Sequence, residues 1–170
     1  RFHDRCDELR FRDPRRFGGV WFIPDPAHAS RTRAARAVTK ASIGLSPLGP
    51  DALSIQGKGL REVLRRRGQI KALLLDQRAI SGLGNIYCDE ALHRAGIHPI
   101  TPASELTAAQ IRQLAESIRV TLRSAIRAGG STLRDYRDAD GAEGWFQVHH
   151  RVYGRAGMPC QRCGTVIERA

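Results

Sequence analysis

Residues 70–99 read IKALLLDQRAISGLGNIYCDEALHRAGIHP. Ile70, Leu73 and Leu74 recur at the spacing of one helical face, and Ile86, Ala91, Leu92 and Ala95 do so again after a break. The break is Ser81-Gly82-Leu83-Gly84-Asn85, with two glycines two residues apart. The second helix is predicted to stop at Gly96, ahead of Pro99. A tight turn of this kind leaves backbone N–H groups free at the start of the second helix, where unpaired donors and the helix dipole favour an anion. Asn85 adds a side-chain donor there and Lys71 a cation. The other reading is an ordinary bend whose glycines serve geometry alone.

The helical pattern extends outward on both sides. Leu60, Val63 and Leu64 mark a short amphipathic helix that ends in Arg65-Arg66-Arg67-Gly68. Thr107 with Gln110 three residues on reads as a capping box opening a long helix. Its stripe of Ile111, Leu114, Ile118, Leu122 and Ala125 is core, and Gly129-Gly130 stops it. Residues 48–128 are therefore expected to form one helical domain.

The flanks differ. In residues 8–23, Leu9 and Phe11 alternate with arginines, Asp13-Pro14 and Gly18-Gly19 bracket a turn, and Val20 to Ile23 is a β-prone return, so a hairpin is predicted. Its tip carries Arg15, Arg16 and Phe17. Phe17 either folds back onto the hairpin or serves as a wedge for a base stack, with the arginines on phosphate or a base edge. Residues 26–47, basic in the middle and bounded by prolines, read as a linker. In the tail, Trp145, Phe146, Val148, Val152 and Tyr153 suggest strands, followed by Cys160-Gln161-Arg162-Cys163-Gly164. A C-x-x-C turn followed by Gly points two thiolates at one ion.

Composition bounds the partners. Among 170 residues, 28 Lys plus Arg face 17 Asp plus Glu, a formal charge of +11, and Lys stands only at 40, 58 and 71. An excess of arginine suits forked contacts with phosphate or guanine, although a GC-rich genome also writes Arg on solvated faces. At 41% hydrophobic the chain can bury a core. No run approaches 18 apolar residues, so no membrane helix is expected. Four cysteines in so long a chain are too few for an extracellular disulfide framework, which points to a reducing cytoplasm.

Five blocks carry a family resemblance: DPRRFG at 13–18, LGPDALS at 48–54, the stretch at 70–99, GGSTLRDY at 129–136 and GWFQVHHRVYGRAGMPCQRCGT at 144–165. In content and order they closely resemble the bacterial formamidopyrimidine-DNA glycosylases (Fpg, or MutM), relatives of endonuclease VIII. The resemblance implies an α+β protein. Residues 1–25 would end an N-terminal β-sandwich in a hairpin. Residues 48–128 would be a helix–two-turn–helix DNA-binding domain, and 129–170 a lesion-loop segment with a partial β-hairpin zinc finger. It implies base-excision repair of oxidised purines such as 8-oxoguanine and formamidopyrimidine by a bifunctional glycosylase and AP lyase. In that chemistry an N-terminal Pro amine forms a Schiff base and β,δ-elimination cuts the strand. The implied partner is double-stranded DNA carrying such lesions or abasic sites, held by a cytoplasmic, nucleoid-associated protein that is monomeric when complete.

Residue by residue, the resemblance makes Phe17 the wedge beside a flipped-out lesion and sets Arg15 and its neighbour Arg16 against DNA. It puts Lys71, Asn85 and Tyr153 on phosphates, Arg66 near another DNA contact and Gly84 among the DNA-binding residues, and it places Gly130, Ser131, Thr132, Leu133, Arg134 and Tyr136 in the mobile loop over the flipped base. It also implies one Zn2+ held by Cys160 and Cys163 together with a second C-x-x-C about 20 residues downstream.

This chain departs from the pattern at its ends. It begins at Arg1 without the proline amine, and seven residues follow Cys163. The expectation is a chain truncated at both ends, inactive by itself, with no catalytic residue of its own and half a zinc site. His149 and His150 read as plain polar residues rather than replacement ligands, and His28, His93 and His98 as surface or helix-end residues. Two alternatives stand beside this reading. One is a non-catalytic protein or fragment that binds damaged DNA. The other is RNA binding through the shared helical unit, which DPRRFG and GGSTLRDY argue against.

Overall fold

Among the described residues four α-helices follow one another: α1 (Gly57–Val63), α2 (Ile70–Leu75), α3 (Asn85–Ala95) and α4 (Ala108–Arg127). The computed structural model describes residues 48–131 and 145–169, which belong to one compact unit, Pro47–Ala170. The predicted hairpin with Arg15, Arg16 and Phe17, the linker at 26–47, and Thr132, Leu133, Arg134 and Tyr136 lie outside the described residues.

Local signals set most helix ends. Thr107 caps α4, its hydroxyl accepting from the Gln110 N–H at 3.2 Å while Gln110 Oε1 takes the Thr107 N–H at 2.9 Å. Gly96 ends α3 in the left-handed region, φ 68°, where a side chain would be strained. The predicted stripe of α4 is buried throughout, joined by Ala115, Ser117 and Thr121. That face packs on α3 and α1, and α2 packs on α3, around Leu60, Ile70, Leu74, Ile80, Leu83, Leu92, Leu114 and Ile118. Burying each such side chain contributes about 1.5–3 kcal/mol before conformational entropy is counted.

The segment between α2 and α3 is held from both sides. Gln77 spans it, accepting the Gly82 N–H at 2.9 Å and donating to the Leu83 carbonyl at 3.0 Å. Residues 49–52 lie along it through Gly49 N–H to Gln77 O, Ser81 N–H to Pro50 O and Ala52 N–H to Ser81 O, each 2.9 Å. A Cβ on Gly49 would stand 2.6 Å from the Ala79 carbonyl carbon, so only glycine allows this approach.

The tail corrects the sequence reading. Phe146–His149 is a 3-10 turn, and Val152 and Tyr153 lie in turns rather than strands. Among the described residues the β structure consists of isolated bridges, with Ser131 paired to Trp145 and Pro159 to Val166. The physical reason is that the backbone N–H groups of 151–153 are taken by a side chain, leaving none to pair with a neighbouring strand.

Candidate nucleic-acid interface

The start of α3 is open. Gly84, at its N-cap, supplies no side-chain hydrogen bond, and the first intrahelical bond runs from the Cys88 N–H to the Gly84 carbonyl at 2.9 Å. The amides of Asn85, Ile86 and Tyr87 therefore have no partner inside the helix. Gly82, Gly84 and Asn85 are exposed, and a Cβ placed on either glycine would meet no atom within 4 Å. Gly82 has φ 83°, which turns the chain into the helix. The first turn of α3 thus leaves backbone donors without a helical partner beside two exposed glycines, a geometry that suits an anion.

The cations assigned to this site are not free. Lys71 Nζ pairs with Asp89 Oδ1 at 2.8 Å, and both side chains are about four-fifths buried. Arg66 donates to Asp76 Oδ2 at 2.6 Å. Asp76 also accepts the Arg78 N–H at 2.9 Å, and these two bonds, the backbone one foremost, hold its carboxyl below the usual range.

Tyr153 joins α3 through a buried connection that sequence reasoning missed. The Glu90 carboxylate, 5% exposed, accepts the N–H groups of Arg151, Val152 and Tyr153 at 2.9–3.0 Å. Rings then run from Tyr87 to Phe146 (5.5 Å), Phe146 to His150 (5.6 Å) and His150 to Tyr153 (5.7 Å), the last two edge to face. His150 Nε2 lies 3.2 Å from Ser131 Oγ, and the Gly130 carbonyl accepts the Phe146 N–H at 2.9 Å. Gly130, Ser131, Tyr153 and the first turns of α3 therefore form one connected body. The one local signal for Glu90 is an acid set between the buried Cys88 and Ala91 on a helical face. His150, read as plain polar, is buried, and burial pushes its pKa down.

Cys160 and Cys163 lie on a turn closed by the Pro159–Val166 bridge, with Cys160 N–H donating to Thr165 O and Gly164 N–H to Cys160 O, both 2.8 Å. The Arg162 N–H points at Cys160 Sγ, 3.4 Å away, as backbone amides do in a metal knuckle. His93, in the last turn of α3 as one of the two readings expected, has its Nε2 3.3 Å from the same sulfur and is half-buried against the knuckle. Among the described residues no three His, Cys, Asp or Glu groups are close enough to hold a metal ion. The two thiols fit half of a tetrahedral site. Beside the knuckle, a cleft of about 1090 Å³ opens between α3, α4 and the tail, edged by Arg94, Arg127, Arg151 and Arg162 and walled by Trp145. No helix among the described residues is long and apolar enough to cross a membrane.

Residues 48–137 match the family described as formamidopyrimidine-DNA glycosylase H2TH domain. A formamidopyrimidine-DNA glycosylase of Methylobacillus flagellatus is 44% identical over 161 residues, covering 94% of this chain and 54% of the relative. The crystal structure of the MutM (Fpg) protein from Thermus thermophilus superposes with a TM-score of 0.67 at 48% identity, over 72% of this chain and 48% of that one. Lactococcus lactis Fpg, solved with Fapy-dG containing DNA and with abasic site containing DNA, gives a TM-score of 0.66 at 40% identity, over 72% of this chain and 46% of that one. The chain spans about half the length of the curated relatives it matches.

Proposed function

This chain belongs to the formamidopyrimidine-DNA glycosylase family, and from that premise we propose that it serves base-excision repair by holding double-stranded DNA at oxidised purines or abasic sites. The observation that carries the proposal is the open first turn of α3, where Gly84 and Asn85 present unpartnered amides on a body that also fixes Tyr153 and the Gly130-Ser131 stem. Amides aimed outward at a helix start suit a phosphate, and a body fixed by Glu90 and the ring series holds several such contacts at one spacing. The Lactococcus lactis complexes with Fapy-dG and abasic site containing DNA support the same partner.

The described residues supply the grip, and the bond-breaking belongs to the N-terminal part of the family's pattern. There a Pro amine attacks C1′ while Phe17 fills the space of the extruded base, with Arg15 and Arg16 against the DNA. The six-residue lesion-loop assignment, Gly130 to Arg134 with Tyr136, would place a cover over the flipped base. Zn2+ would be held by Cys160 and Cys163 with two further ligands, and would tie the finger together as a structural ion.

Fluorescence anisotropy with a duplex carrying a tetrahydrofuran abasic site tests the proposal. The expected result is binding whose logarithm falls linearly with log salt, weakened about tenfold by Asn85→Ala through loss of one hydrogen bond to a charged group. Equal binding to the duplex and to a structured RNA, unmoved by Asn85→Ala, would overturn it.

A further inference from the structure

The pairing of Lys71 with Asp89 bears on how tightly this site can hold DNA. Lys71 is the second residue of α2 and Asp89 stands on α3, four residues after Asn85 and hence on the same helical face. The Lys71 ammonium is thus held one turn into α3 by a carboxylate, on the face whose N-terminal amides suit a phosphate. At 2.8 Å, with both side chains about one-fifth exposed, the pair is shielded from the screening that makes surface ion pairs negligible.

We propose that Asp89 sets how tightly this site holds duplex DNA, as an internal stand-in for phosphate that occupies Lys71 until DNA displaces it. The inference rests on the reading of α3 as a phosphate site. A phosphate that reaches Lys71 must replace one anion by another, so the exchange yields far less than the capture of a free ammonium would. The free carboxylate then faces the DNA. Both effects weaken contacts with any phosphate backbone, damaged or not. The same contact is weakened in an undamaged and in a lesion-bearing duplex, so the ratio of the two affinities is unchanged. Asp89 therefore lowers the affinity for duplex DNA as a whole.

The test is a salt series of anisotropy titrations with two duplexes, one undamaged and one with a tetrahydrofuran abasic site. Wild type is compared with Asp89→Asn, Lys71→Met, the double variant and Glu116→Gln, which removes one exposed acid from α4. The expected result is that Asp89→Asn tightens the undamaged and the abasic duplex alike, about three- to tenfold at low salt, with the log–log slope steeper by about one in each. In the Lys71→Met background the same change has little effect, because the cation it would release is gone. Glu116→Gln removes the same unit of charge without freeing Lys71, and moves both affinities less than about twofold because solvent screens an exposed acid.

Weaker binding by Asp89→Asn with an unchanged slope, at wild-type thermal stability, would overturn the inference and make Asp89 a support for Lys71. An equal gain in both backgrounds would also overturn it, reducing Asp89 to general repulsion. Should wild type bind neither duplex, the phosphate-site reading itself fails, and that outcome is distinct from the other two. Because Asn is close in size to Asp, a thermal midpoint within about 3 °C of wild type is expected, and it separates a binding effect from unfolding.

Discussion

The Glu90 carboxylate accepts the backbone N–H of Tyr153 at 2.9 Å, joining α3 to the tail across 63 residues of chain. The amides of Arg151 and Val152 share the same carboxylate, so three consecutive donors converge on one buried group. No strand partner serves these amides. The side chain of a helix does so instead, and the position of Tyr153 relative to Asn85 is thereby fixed.

Glu90→Gln is expected to loosen this junction. All three N–H groups converge on Oε1, and that of Arg151 also reaches Oε2 at 2.9 Å, so the variant removes the charge they share and sets an amide NH2 against the Arg151 N–H, donor facing donor, in a site only 5% exposed. Leaving a buried donor unpaired costs about 1–3 kcal/mol, and more where the acceptor was charged. Urea unfolding should show a loss of about 2 kcal/mol, and limited proteolysis should cut earlier within 145–169. A variant as stable and as protease-resistant as wild type would mean that the tail is held by the ring contacts alone.

How far the sequence reveals this arrangement depends on the range of each interaction. The Thr107–Gln110 box, the Gly96 stop and the α4 stripe are legible because their partners lie within one or two turns. Trp145 to Tyr153 misleads because its residues favour strands. Phe146 seats on Tyr87, 59 residues away in sequence, and Glu90 consumes the amides a strand would need. The Lys71–Asp89 pair is hidden for the same reason, since nothing local marks which acid faces the lysine. At the proposed phosphate site the glycine pair is readable and the electrostatics is not.

Two glycines of this region should separate fold from function. Gly49→Ala puts a Cβ within 2.8 Å of three backbone atoms of Arg78 and Ala79, which cannot swing aside as a side chain can. A loss of about 2–3 kcal/mol is expected by urea titration. Gly84→Ala meets nothing within 4 Å at φ −97°, so its stability cost stays within about 1 kcal/mol. Its affinity for an abasic duplex should nonetheless fall, because the methyl group stands where a phosphate approaches the helix. Equal stability losses for the two variants would contradict the close approach of residues 49 and 79.

Cys88 should be chemically silent. Burial, reinforced by Asp89, pushes its thiol up to about 12, with Lys71 opposing. At pH 8 about one molecule in ten thousand carries the reactive thiolate, and the sulfur has no exposed surface. Iodoacetamide followed by mass spectrometry should leave Cys88 unmodified in the native protein and label it fully in urea. Native labelling at the rate of an exposed thiol would show that α3 opens readily.

Acid should weaken the junction between the loop stem and Tyr153 before it affects the carboxylates. Burial lowers the pKa of His150, with Glu90 opposing and His149 adding to the shift, and burial likewise lowers that of His93. A base with a depressed folded pKa takes its proton first in the unfolded chain, where the ordinary value is 6.5. The stability it contributes is therefore complete above about pH 6.5 and is lost as pH falls from there toward the folded value. Protonation of His150 also removes the lone pair that can accept from Ser131 Oγ, while its other contacts are the rings of Phe146 and Tyr153. The melting midpoint should thus drop by about 2–5 °C between pH 7.5 and 5.5. His150→Leu keeps an apolar side chain against Phe146 and should reduce that drop without abolishing it, because His93 still titrates. An identical pH profile in the variant would remove His150 from the account, and a midpoint that rose on acidification would reverse its sign.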